Sequence, residues 1–94
     1  MKINVINGFP LEGSSMRVTV KLFASLSRFS PGGLPGTPFG VDLPKSATVQ
    51  ALVDLLGIPP EEIKVPFING LIRDLDCVLS SDDEVGIFPP IGGG

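Results

Sequence analysis

The stretch LSSDDEVGIFPPIGGG, residues 79–94, decides how this chain is read. Its two serines and three adjacent acids, Asp82, Asp83 and Glu84, have the composition of a solvated turn. Val85 and Ile87 then fall two apart, so a strand here shows one apolar face, and the same alternation puts Phe88 on the opposite face. Pro89 and Pro90 stop the strand, because neither has an N–H for a sheet ladder. Beyond Ile91 come Gly92, Gly93 and Gly94, residues that lose the most backbone freedom on ordering and make a poor anchor. The result is a thin arm rooted on a strand. It is either slack, as chain ends often are, or an arm whose slimness is its use.

The elements upstream supply a body for that arm. In VPFINGLIRDL, residues 65–75, Asn69-Gly70 between two apolar runs predicts a hairpin. SATVQALVDLLG, residues 46–57, spaces Val49, Leu52, Val53 and Leu56 as one helix face, with Ser46 or Thr48 as N-cap and Gly57 just past the end. IPPEEIK, residues 58–64, predicts a single turn that starts at Pro60. Further upstream, MRVTVKLF, residues 16–23, and FGVDLP, residues 39–44, alternate as strands. Between them ASLSRF suggests a short helical turn and SPGGLPGTPFG, residues 30–40, a long loop. That loop lacks the Gly-Lys-Ser/Thr ending that cradles phosphate, so no nucleotide is assigned to it.

The order is strand, strand, helix, strand, strand, strand. It predicts an α+β domain in which a mixed sheet of four to five strands packs over one main helix, since each element has a single apolar face to bury. Residues 16–88 form the body and residues 89–94 the arm. Residues 1–15, with Ile3 and Val5 alternating ahead of a Gly-, Pro- and Ser-bearing stretch, read as an N-terminal extension, or Met16 is the natural start.

Ninety-four residues, 43% of them hydrophobic, suit one domain with a thin core. Residues 1–45 hold five basic and two acidic side chains, and residues 46–94 two basic and eight acidic. This argues against a nucleic-acid binder and suits a partner with a basic docking surface. Cys77 is the only cysteine and histidine is absent, so the chain closes no disulfide on itself and offers no usual zinc set. Cys77, flanked by apolar and acidic residues, reads as packed rather than reactive, since reactive thiols sit in electropositive settings. The three acids of the turn lack the ligand spacing of a calcium loop. No membrane span and no secretory signal are visible, so a cytoplasmic protein is expected. Without histidine or an activated nucleophile there is no standalone active site. The chain must act through partners.

VKLFASLSRF near the front, the order of elements, and LSSDDEVGIFPPIGGG at the end together resemble the MoaD/ThiS family of ubiquitin-like sulfur carrier proteins. The resemblance covers residues 16–94 and implies a β-grasp (ubiquitin-like) fold. It also implies a cycle in which a MoeB/ThiF-like activating adenylyltransferase uses ATP to adenylate the C-terminal carboxylate, which then becomes a thiocarboxylate. An acceptor enzyme, such as the large subunit of molybdopterin synthase, takes the sulfur. No bound cofactor is implied for the carrier itself. The IFPP ending and the larger first loop favour the molybdopterin branch; thiazole synthesis, a ubiquitin-like modifier and a plain β-grasp interaction module are the alternatives. The chain departs from the family pattern in three places: Asp82 stands where a turn glycine is usual, Gly94 follows the usual Gly-Gly pair, and residues 1–15 have no counterpart.

The physical chemistry of the arm agrees with that role. An α-carboxyl group, with a pKa of about 3.3–3.7, is an anion and a poor electrophile at neutral pH, so it must be activated elsewhere. Extended, residues 89–94 reach roughly 20 Å at about 3.3–3.6 Å per residue. The prolines stiffen the base. Gly94 is expected to carry the reacting carboxylate, with Gly92 and Gly93 threading a partner's tunnel. Phe88, Ile91, Phe67 and Leu71 are expected to form a docking patch beside the arm, because exposed aromatics are frequent interface anchors.

Overall fold

The computed structural model describes residues 2–3 and 15–90. Strands β1 (Lys2–Ile3), β2 (Ser15–Leu22) and β3 (Phe39–Pro44) precede helix α1 (Val49–Leu56); β4 (Val65–Ile68), β5 (Leu71–Ile72) and β6 (Glu84–Phe88) follow it. They form one sheet in the order β1-β3-β2-β6-β4-β5. β2 and β6 lie parallel at its centre, β2 is antiparallel to β3, and β4 is antiparallel to both β6 and β5. The expected mixed sheet over one helix is what forms. Five strands make its body, and β1 adds a two-residue parallel piece at the edge of β3.

The core is the set of inward positions that the alternation picks out. Met16, Val18, Val20 and Leu22 from β2, Phe39, Val41 and Leu43 from β3, and Val85 and Ile87 from β6 are buried against Val49, Leu52 and Val53 of α1. Ile58, Leu79 and Leu26 close the ends of this layer. Leu26 belongs to a 3₁₀ turn, Ala24–Phe29, where the sequence suggested a short helical turn. Another 3₁₀ turn, Pro60–Glu62, starts on Pro60 as expected.

Helix α1 shows how a short helix is held at both ends. Of its two candidate caps the fold uses Thr48, whose hydroxyl oxygen accepts from the Ala51 N–H at 3.1 Å. The two N–H groups ahead of Ala51, left without intrahelical partners, donate outside the helix: Val49 to the Cys77 carbonyl at 3.0 Å and Gln50 to the Leu75 carbonyl at 2.8 Å. The segment around Cys77 thus serves the helix start, and Cys77 itself is partly buried against the core. Gly57 ends the helix at φ 78°, a left-handed conformation that glycine adopts at little cost.

Ser46, the other candidate cap, has a different role. The Ala47 N–H donates to the Pro44 carbonyl at 3.1 Å, closing a turn in which Ser46 takes φ 74°. A type II turn wants glycine there. Ser46→Gly is therefore expected to raise stability by about 0.5–1 kcal/mol, the relief of left-handed strain less glycine's larger entropy loss. The corresponding rise in melting temperature is roughly 2–8 °C, read by thermal denaturation.

The Asn69-Gly70 hairpin forms as predicted, with φ 53° and 84° at its two central residues. Asn69 also ties that hairpin to the acidic turn. Its side-chain amide donates to Asp83 Oδ1 at 2.9 Å and its side-chain oxygen accepts from the Glu84 N–H at 2.9 Å. Asp82 takes φ 69°, so aspartate fills a left-handed turn position of the kind that glycine occupies most readily. Asp83 accepts from the Ser80 N–H at 2.8 Å, and the acids are built into a turn. Among the described residues no group of three or more His, Cys, Asp or Glu could hold a metal ion, and no helix is long and apolar enough to cross a membrane.

Candidate functional site

The sheet face turned away from α1 carries the site. Val85 and Ile87 point to the helix, so Glu84, Gly86 and Phe88 of β6 point the other way. Phe67 lies opposite Gly86 on β4, and Lys21 lies opposite Gly86 on β2. Together Lys21, Phe23, Phe67, Gly70, Glu84, Val85, Gly86 and Phe88 line an open groove of about 270 Å³. Its walls are aromatic, with one cation and one anion on its rim; among the described residues neither Lys21 nor Glu84 is in an ion pair.

Phe88 is the centre of this arrangement. Its ring stacks on that of Phe23, with centroids 4.3 Å apart and planes 4° apart, and meets the Phe67 ring edge-on at 5.4 Å and 73°. One is a stacked contact and the other the T-shaped contact that aromatic quadrupoles favour. Phe88 is nevertheless 38% exposed. The face that alternation assigned to it is the one it occupies, and it comes together with Phe67.

Leu71 does not join them. The two-residue turn pairs Ile68 with Leu71 and Phe67 with Ile72, so Leu71 shares the inward side of Ile68 and Ile72 takes the outward place beside Phe67. Ile72 is 67% exposed. Phe23 is the other residue that the sequence reading did not single out. It stands one step past the Leu22–Ile87 pair of two parallel strands, and that pairing brings it beside Phe88. The signal available was the outward parity of Lys21 and Phe23 in MRVTVKLF, which becomes useful only once β2 and β6 are known to be neighbours. Ile91, Gly92, Gly93 and Gly94 lie outside the described residues.

The arm starts at this groove. Phe88 is the last residue of β6; Pro89 follows, half-buried, and then Pro90, exposed. The backbone is held up to that point, with the Ile87 carbonyl accepting from Phe23 N–H at 3.2 Å and the Phe88 carbonyl from Lys64 N–H at 2.9 Å. Elsewhere on the surface, two ion pairs have structural roles. Arg17 makes a forked contact to Asp42 across β2 and β3, at 2.7 and 3.2 Å, and these bonds raise its pKa above the ordinary arginine value. Arg28, which pairs with Glu62, joins the 3₁₀ turn after β2 to the one before β4. Lys64 and Arg73 form no ion pair among the described residues.

Solved structures share this fold. A Pyrococcus furiosus protein described as molybdopterin converting factor, subunit 1, is similar at 24% identity with a TM-score of 0.64, over 81% of this chain and 99% of its own. The small archaeal modifier protein 1 of Haloferax volcanii is similar at 28% identity and 0.62, over 83% and 99%. That of Methanosarcina acetivorans is similar at 28% and 0.53, over 87% and 100%. No curated protein sequence matches the chain. The family model of ThiS matches residues 20–94, from inside β2 through the terminal glycines, and on that match the chain belongs to the ThiS family.

Proposed function

We propose that this chain is a sulfur carrier whose Gly94 carboxylate is adenylated and converted to a thiocarboxylate that donates sulfur in molybdopterin synthesis. The observation that supports this most is the extent of the family match, which takes in the last strand, the double proline and all three glycines. In the first step a carboxylate oxygen attacks the α-phosphorus of ATP and pyrophosphate leaves. In the second, a sulfide-level sulfur attacks the acyl carbon and AMP leaves, so sulfur stands where oxygen stood. The chain supplies the acyl group, and both steps run in partner active sites, because the chain has no histidine and its one thiol is partly buried against the core. The partners are a MoeB/ThiF-like adenylyltransferase, on which ATP is consumed, and an acceptor such as the large subunit of molybdopterin synthase, in the cytosol. Gly92 and Gly93 thread the arm into them.

Docking falls to the aromatic groove, with Phe88 and Phe67 at its centre, Ile72 beside them and Ile91 beyond the prolines. Phe88→Ala is expected to weaken binding to the activating partner on the order of tenfold, since truncating a central aromatic anchor commonly costs more than about 1 kcal/mol. Titration calorimetry reads this directly; an unchanged affinity removes Phe88 from the patch.

The likeness at 28% identity to archaeal modifier proteins favours a second reading, in which the same activated glycine forms an isopeptide bond with a lysine. Intact mass spectrometry separates the two. After incubation with ATP, a cognate activating enzyme and a sulfur donor, the carrier reading expects a gain matching one oxygen replaced by sulfur. Covalent adducts on lysines with no such gain would establish the modifier instead.

A further inference from the structure

The aromatic contacts at the end of β6 have a geometry that docking alone does not need. Phe23 is half-buried, and its ring lies between two glycines, one at each edge: a Cβ built on Gly36 would come to contact distance, 3.4 Å, from one ring edge, and one built on Gly86 to 3.4 Å from the other. Gly36 is fixed there by its own N–H, which donates to the Leu22 carbonyl at 2.8 Å. Directly after Phe23 the chain passes through Ala24 at φ 53°, a left-handed conformation that a non-glycine residue adopts only when its surroundings impose it. The slot presents the flat of the Phe23 ring to Phe88, the last residue before Pro89. At that same point two backbone bonds, from Phe23 to Ile87 and from Lys64 to Phe88, close the sheet. Pro89 has no N–H with which to extend it.

We infer that Phe23 is a positioning residue that sets the direction in which the arm leaves the body, by holding Phe88 through their stacked rings. The inference rests on the reading of the arm as the reacting element. With Phe88 held, the backbone keeps one course up to the prolines. With Phe88 loose, β6 frays at its end and the carboxylate reaches the partner's active site in fewer productive poses. Misplacement of about 1 Å at a reacting centre can cost about a hundredfold in rate, which sets the scale of the effect.

The test uses the full chain, an activating adenylyltransferase and ATP, with adenylation followed by pyrophosphate exchange. Phe23→Ala is expected to lower kcat roughly ten- to hundredfold, over and above any rise in KM that the altered groove brings, and Phe23→Tyr, which keeps the stacked ring, restores kcat. Hydrogen exchange gives the readout independent of any partner: the Lys64 amide is protected in the parent chain, exposed early in Phe23→Ala and protected again in Phe23→Tyr. A raised KM with kcat unchanged would make Phe23 a docking contact and overturn the inference. So would a Lys64 amide that exchanges freely in the parent chain, a result that needs no variant to fold. A parent chain that no activating enzyme adenylates would end the carrier reading, while the exchange measurement would still decide whether Phe23 holds the end of β6.

Discussion

Deleting Gly92–Gly94 is expected to abolish thiocarboxylate formation completely and to leave the melting temperature where it was. The two halves of that result have separate causes. Three residues span at most roughly 10 Å, at about 3.3–3.6 Å per residue, so their loss draws the terminal carboxylate back by up to that length and out of reach of a site that takes the full arm. The body does not notice, because every buried side chain and hydrogen bond of the described residues stays in place. Removing Gly94 alone shifts the carboxylate by one residue and is expected to lower the adenylation rate by about a hundredfold. Pyrophosphate exchange and intact mass, measured beside a thermal melt, check both statements. A truncated chain that still gained sulfur would place the reacting group elsewhere.

Leu52→Ala should do the opposite, sparing the arm and damaging the body. Leu52 is fully buried on the face of α1 that meets the sheet, where the removed atoms leave a cavity as well as lost contacts. Such truncations cost about 2–5 kcal/mol, against a total stability of roughly 5–15 kcal/mol for a domain. The melting temperature is then expected to fall by roughly 8–40 °C, at about 4–8 °C per kcal/mol. Denaturation in guanidinium with an unchanged slope would assign the loss to the folded state. A fall below about 1 kcal/mol would mean that α1 is not packed as described.

How much of this was legible beforehand follows from the range of each interaction. Strand alternation is local, so β2, β3 and β6 and their inward residues could be read from the chain, as could the outward face of Phe88. Helix α1 announced both of its ends, and Asn69-Gly70 announced its turn. The choice of Thr48 over Ser46 was not local, because it depends on the turn that Pro44 and Ala47 close. Leu71 was placed by nearness in sequence, whereas the hairpin register puts Ile72 opposite Phe67. Phe23 was out of reach for a different reason. Its partner is 65 residues away in the chain, and nothing in either segment says that two strands so far apart run side by side.

That central pairing has a mechanical side. A pull along the axis of β6, applied through Pro89, would meet a strand that is bonded to β2 on one side and to β4 on the other. The load therefore falls on both rows of bonds in shear, all at once, rather than peeling them open one by one. The strand that leads into the glycine end is thus also the strand best seated to resist such a tug.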